Sequence, residues 1–257
     1  MATGKNIVLS LHSTMCNLQA EEGIYQRLLH WGSLYPSLRL TCPSEREVTG
    51  LNAILPLHSL YLPNTFSYHT SEKEVRTAAQ AKVQRPTRRV SLLCAYRPLK
   101  NIITQIAAVA LAARELPLEL HLCEGPAQNA LYHTVQTICS GLSLPVIYHP
   151  SMSNRDCYRL AAQMDLGLQV SLSETFSYAA CEHMMSGVPV IGSSSIPYAT
   201  LLADYSDVTD IATKIVAVLQ DPHYYQSLAL FSHQHAIDVA TQNELAAVKA
   251  IAELMNQ

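Results

Sequence analysis

The sequence predicts an α/β fold, a parallel sheet covered on both faces by helices, and three observations lead there. From about residue 88, short β-branched or aliphatic runs alternate with longer segments of helical period. The connections between them are short, as they are where strands and helices alternate around a parallel sheet. The 257 residues are 49% hydrophobic, enough for one large or two small domains with real cores. Together these describe a doubly wound, Rossmann-like domain behind a smaller piece of the same kind.

The smaller piece covers residues 1–66: strand "NIVLSLH", helix "EEGIYQRLLHWGSLY", strand "LRLTC" and a Pro-rich run through "ILPLHSLYLPN". Only two or three strands fit in it. The charged, apolar-poor stretch "SYHTSEKEVRTAAQAKVQRPTRR" marks a boundary. The larger domain, 67–222, opens with strand "RRVSLLCAY", helix "NIITQIAAVALAARE" and strand "LELHLCE". Helix "AQNALYHTVQTICSG" follows, closed by Gly141 as a C-terminal cap. Then come strand "LPVIYHP", helix "NRDCYRLAAQM" with Asn154 as N-cap, and strand "DLGLQVSL". A turn, a helix beginning near Phe176 and strand "PVIGSS" complete the alternation. After residue 205 the chain reads as helical, with "DVTDIATKIVAVLQD" opening on an acidic first turn. The amphipathic "ATQNELAAVKAIAELMNQ" closes residues 223–257, a C-terminal helical segment.

Charge narrows the function classes. Charged residues make up 14% of the chain and the net charge is −3, so no strong general field draws in a polyanion and nucleic acid is a disfavoured partner. No apolar run approaches the roughly 20 residues that span a bilayer, and the apolar core of "MATGKNIVLSLHST" is too short for a signal peptide. The expected location is cytoplasmic. Low charge with high aliphatic content also points to apolar surface covered by another chain, in a homo- or hetero-oligomer, or lying peripherally against a membrane. The seven cysteines form an odd set without a C-x-x-C pair and read as free, reduced thiols.

The segment "SLSETFSYAACEHMMSGVPVIGSS" is the candidate site. In an open parallel sheet, ligands bind beyond the carboxyl ends of the strands, where loops run into helix N-termini. With a helix starting near Phe176, the amides of Phe176, Ser177 and Tyr178 point outward with the helix dipole behind them, and an anion such as phosphate settles there. Glu174 and Glu182 flank these amides at a separation of about 10 Å, the span of a diphosphate with a sugar on each side. Each carboxylate then accepts hydrogen bonds from one sugar's hydroxyls while the amides hold the diphosphate. Taken by itself, the spacing fits two solvated surface carboxylates better than a binding pair. Arg97 and Lys100 follow a strand, where a guanidinium and an ammonium can grip phosphate oxygens and stabilise a departing diphosphate. The plainer alternative for this pair is helix capping or solvent exposure. His233 and His235 are two apart on an expected helix and face different ways, so no metal site is expected. His183, beside Glu182, reads as a packing or surface histidine. No G-x-S-x-G elbow is present for Ser-His-Asp chemistry.

In order, Ser173-Glu174-Thr175-Phe176-Ser177, Glu182 and Gly187-Val188-Pro189-Val190 resemble the donor-site motif of retaining GT-B glycosyltransferases carrying E-x7-E. "LPN" (62–64) is similar to the family's Pro-Asn ahead of the donor domain, "AYRPLKN" (95–101) to its Gly-Arg…Lys-Asn loop, and "CEGPAQNAL" to its Gly-x-Gly-Pro turn. The resemblance covers residues 60 to about 222. It implies a GT-B-like fold with a reduced N-terminal, acceptor-side subdomain, and metal-independent transfer from a nucleotide sugar with retention. It also implies that Glu182 binds the nucleotide ribose, Glu174 the transferred sugar, and Arg97 with Lys100 the diphosphate. Thr175, Phe176, Ser177, Tyr178 and Gly125 would complete the nucleotide-sugar site, and His12, at the end of the first strand, is the candidate catalytic histidine. The donor would be a UDP- or GDP-sugar, with no further cofactor, and the acceptor a glycan, lipid-linked glycan or protein. Thr175 and Ser177 replace family glycines, as do residues around Ala95 and Tyr96, so side chains stand where backbone would otherwise approach a ligand. Two other readings follow from the same residues: a non-catalytic subunit that binds a nucleotide sugar or stabilises a partner, and a nucleotide-sugar epimerase.

Overall fold

A computed structural model describes residues 7–19, 21, 23–67 and 70–255. These residues form two compact units. The first takes the described residues up to Phe66, Ser173–Phe176 and those from Ala240 onward; the second takes Ser67–Leu172 and Ser177–Val239.

The first unit contains β1 (Ile7–Ser10), α1 (Met15–Leu18), α2 (Ile24–Leu34), β2 (Leu38–Cys42), α3 (Glu45–Ile54) and β3 (His58–Tyr61). Its sheet has the order β1-β2-β3, all parallel, over a core of Leu18, Leu28, Leu38, Leu40, Leu51 and Leu57. The third strand lies inside the Pro-rich run. Helix α3 was not expected, yet Ser44 caps it through the Glu47 amide, and Glu45 and Glu47 lie in its first turn. The Glu47 carboxylate is buried and accepts the Met15 amide at 2.6 Å, which joins α3 to the start of α1.

The second unit opens with α4 (Glu72–Lys82) and continues with β4 (Arg88–Leu92), α5 (Ile102–Ala112), β5 (Leu118–Cys123), α6 (Ala130–Ser140), β6 (Val146–His149) and α7 (Asn154–Gln163). It goes on through β7 (Leu166–Gln169), α8 (Tyr178–Met185), β8 (Val190–Gly192), β9 (Leu201–Leu202), α9 (Val208–Gln220) and, up to Val239, α10 (Pro222–Met255), whose residues from Ala240 belong to the first unit. Six strands pair in the order β6-β5-β4-β7-β8-β9, every pair parallel. Helices α5 and α9 pack on each other, and so do α7 and α8; the right-handedness general to such crossovers puts the α5 and α7 connections on opposite faces of the sheet. Strand order reverses between β4 and β7, and such a switch point opens a crevice beyond the strands' carboxyl ends.

Several elements differ from the sequence reading for local reasons. The charged stretch after Ser67 is helix α4, held by a reciprocal capping box between Ser71 and Glu74; Glu72, Lys73, Glu74 and Arg76 point outward, while Val75, Ala79 and Lys82 are buried. Ser153, not Asn154, caps α7, its side chain accepting the Asp156 amide. The C-terminal helical segment is the 34-residue helix α10, which begins at Pro222, a residue well suited to a first helical turn. Leu245, Val248, Ile251 and Met255 lie exposed along its last turns. Among the described residues no helix is long and apolar enough to cross a membrane, and all seven cysteines are free.

Candidate functional site

The loops after β4 and β7 meet at the switch point and are tied backbone to backbone and through side chains. The Leu172 amide donates to the Leu99 carbonyl at 2.9 Å. Asn101, held in the left-handed region at φ 53°, donates through Nδ2 to the carbonyls of Val170 (3.1 Å) and Tyr205 (2.7 Å). Asparagine tolerates that backbone conformation better than most residues. Gln105 spans the same gap, its Oε1 accepting the Val170 amide at 2.8 Å and its Nε2 donating to the Lys100 carbonyl at 2.7 Å. Gln169 makes a third link, donating to Leu93 O at 3.3 Å and accepting the Ser177 hydroxyl at 3.2 Å.

A pocket of about 670 Å³ opens beyond the carboxyl ends of β4, β5 and β6. Ala95, Arg97, Gly125, Met152 and Cys157 are among the residues lining it. Arg97 is exposed; Lys100 is half-buried and closes a single 3₁₀ turn, Pro98–Lys100. Tyr96, where the family resemblance expects glycine, is 7% exposed, because its ring packs edge-on against Tyr132 at 4.9 Å and its hydroxyl donates to Cys123 O at 2.6 Å. Gly125 is required by that packing. A Cβ there would come within 2.6 Å of Tyr132 and 2.8 Å of Tyr96.

Glu182 sits on α8, 8% exposed. Its charge is felt by two pocket-lining thiols: Cys123 is pushed up to about 11 by burial first, then by Cys157 and Glu182, and Cys157 is raised by burial first and Glu182 second. The carboxylate therefore belongs to the pocket's electrostatic environment. Asn101 closes the "AYRPLKN" loop and Cys123 opens "CEGPAQNAL", whereas Cys157 and Gln105 carry no motif, and sequence reasoning gave none of the four a role in the site.

Of the three amides expected to face an anion, that of Ser177 has a protein partner. Helix α8 starts at Tyr178, and Ser177 is its N-cap, its hydroxyl accepting the Ala180 amide at 3.3 Å. The Ser177 amide, expected to face an anion, donates instead to the Tyr198 hydroxyl at 2.7 Å. Serine is among the strongest N-caps, which moves the helix start beyond Phe176. Glu174 and Thr175 are half-buried and belong to the first unit. So does Phe176, whose ring lies 5.8 Å from Phe66. His12 is an exposed residue beyond β1 in the same unit. His183 is fully buried beneath α8, its Nδ1 donating to Ala179 O at 2.6 Å and its Nε2 accepting from the Ser91 hydroxyl at 2.7 Å. It packs rather than binds. His233 is buried with Nδ1 on Met185 O at 2.7 Å, whereas His235 stacks on Phe231.

A six-stranded parallel sheet of order 3-2-1-4-5-6 with a pocket at the strand ends defines a doubly wound, Rossmann-like α/β domain. Residues 88–221, more than half of the chain, match the family described as glycosyl transferases group 1, and the chain belongs to that family. No curated protein sequence matches it. Solved structures of GT-B glycosyltransferases share its fold. Anabaena HepE in complex with UDP and glucose superposes with a TM-score of 0.78 at 18% identity, over 98% of this chain and 72% of that one. Sucrose-phosphate synthase from Thermosynechococcus elongatus gives 0.74 at 18% identity, over 98% and 67%. A TarM variant from S. aureus, in complex with fondaparinux, α-GlcNAc-glycerol and UDP, gives 0.74 at 14%, over 97% and 50%.

Proposed function

We propose that the protein transfers a sugar from a nucleoside-diphosphate sugar to an acceptor hydroxyl, with retention and without a metal ion. The observation that carries this reading is the pocket at the carboxyl ends of β4–β6, with Arg97 on its wall and the Glu182 carboxylate within electrostatic reach of its thiols. Glu182 would accept hydrogen bonds from the two ribose hydroxyls. Arg97 and Lys100 would stabilise the diphosphate as charge builds on the leaving oxygen, an effect that grows in a site sheltered from water. Glu174 would accept hydrogen bonds from the transferred sugar, and His12 would act near the acceptor. The acceptor oxygen bonds to the anomeric carbon on the face from which the diphosphate leaves. The carbon–oxygen bond to phosphate breaks, and a phosphate oxygen takes the acceptor's proton. Donors carrying UDP fit the solved complexes of the neighbours named above, and GDP-sugars remain within the same chemistry.

A second reading is a subunit that binds a nucleotide sugar without turning it over. The bond from the Ser177 amide to Tyr198 favours it, because a group expected to hold diphosphate already has a protein partner. Thermal shift with UDP-, GDP- and ADP-sugars, alongside Glu182→Gln, tests both. One nucleotide class should raise the melting temperature of the native chain and lose most of that effect in the variant. Release of free sugar on longer incubation supports transfer; stabilisation without release supports the binding subunit. Absence of any shift across the panel removes both readings.

A further inference from the structure

At the pole of the second unit opposite the pocket, four buried polar atoms have no hydrogen-bond partner in the protein: Lys82 Nζ, Arg88 Nε and Nη2, and Tyr225 Oη. They make up four of the seven such atoms among the described residues, and they belong to neighbouring side chains. Lys82 ends α4 and is 3% exposed; Arg88 begins β4 and is 6% exposed; Tyr225, in the first turns of α10, is fully buried. The guanidinium of Arg88 donates through Nη1 to the Lys82 carbonyl at 2.8 Å and lies 4.8 Å from the centre of the Tyr225 ring. Asp165, just before β7 and fully buried, already accepts from Arg85 Nη1 at 3.0 Å and from the Arg89 amide at 2.7 Å. Asp165 and Arg85 act electrostatically on both Lys82 and Tyr225, which puts all of these groups in one neighbourhood.

The set consists of donors in excess. Lysine and arginine offer no acceptor, tyrosine offers a donor as well, and the one carboxylate is already engaged. Buried donors of this kind find an acceptor in native proteins, whether protein, water or ion. Three cations face one anion here, so the missing acceptor is favoured if it brings negative charge. A monovalent ion suits a site enclosed by α4, β4, β7 and α10, because a second charge raises the desolvation cost steeply. We propose that this cluster is an internal binding site for a small monovalent anion of the chloride class, held by Lys82, Arg88 and Tyr225. The site is distinct from the pocket, and its test does not depend on the proposed activity.

Protonation of Lys82 is linked to this binding. Burial pushes the ammonium down to about 7; Asp165 opposes that, and Arg85 and Arg88 reinforce it. His183, also within electrostatic reach, is neutral at that pH, since burial holds it at about 4. Tyr225 stays protonated, burial pushing it far up. The anion therefore binds the form present below about pH 7 and adds least stability in alkali.

The test compares melting temperatures of the full chain in sodium chloride and in sodium gluconate at equal ionic strength. Chloride should raise the midpoint by several degrees, more at about pH 6 than at about pH 9. Lys82→Met should abolish the difference between the salts. If that variant does not fold, Tyr225→Phe should reduce it. Crystals soaked in bromide should show anomalous density within hydrogen-bond distance of Lys82 Nζ. Equal midpoints in both salts at both pH values, or bromide-free density for water alone, would overturn the proposal.

Discussion

His183 shows how one buried side chain ties stability to pH. Burial lowers its pKa from an ordinary 6.5 to about 4, because the imidazolium has no water and the Lys82 charge repels it. The unfolded chain takes up a proton below about 6.5 that the folded chain refuses until about 4, so stability is complete above that window and falls as pH falls through it. The gap corresponds to about 3 kcal/mol. His121 and His149, hydrogen-bonded to each other at 2.8 Å, are also lowered by burial and act in the same direction. Urea melts at about pH 7 and about pH 4.5 should therefore show a smaller acid loss in His183→Leu than in the native chain, with the difference assignable to this ring. Equal losses would mean that the ring is not the acid-sensitive group. Gly125→Ala belongs to the same scale. The added methyl meets two tyrosine rings, and the expected cost is about 1–3 kcal/mol, read from the denaturation midpoint.

Helix α8 ends in a Schellman motif, the Gly187 amide donating to Met184 O at 2.9 Å and the Val188 amide to His183 O at 2.9 Å. Gly187 is there for two separable reasons: its φ is +66°, and a Cβ would collide with Val75 of α4. Gly187→Ala should thus cost about 2 kcal/mol or more, and adding Val75→Ala should recover only the collision part, leaving the left-handed strain. Full recovery would show that backbone strain plays no part. The motif around this glycine was legible in the sequence, as were α5, β5, α6, β7 and α9, because each carries its own periodicity or cap. Helix α4 was hidden by its charge, although Ser71 and Glu74 stand at capping-box spacing. The site was legible only in its short motifs. The bonds that assemble its loops join Asn101 to residues 69 and 104 positions away, and no local pattern encodes such partners. Nor does any pattern announce that Tyr198 would take the Ser177 amide from 21 residues downstream.

Among the described residues each of the two compact units has a hydrophobic core of its own, and two unfolding units are expected. Leu40 is fully buried in the cluster of the first unit and Leu168 in that of the second. Truncating either to alanine removes a similar amount of apolar contact, about 2–5 kcal/mol, so the variants differ only in which core they weaken. Calorimetry should resolve two transitions, with Leu40→Ala lowering one and Leu168→Ala the other; a single transition moved equally by both would show that the units unfold as one. The same experiment reports on ligand binding. Every residue lining the pocket lies in the second unit, so a nucleotide that occupies it stabilises that unit by mass action. Addition of UDP should raise the transition that Leu168→Ala lowers and leave the other in place. If both rise together, the nucleotide also engages the first unit; if only the other rises, the pocket at the ends of β4–β6 does not hold it.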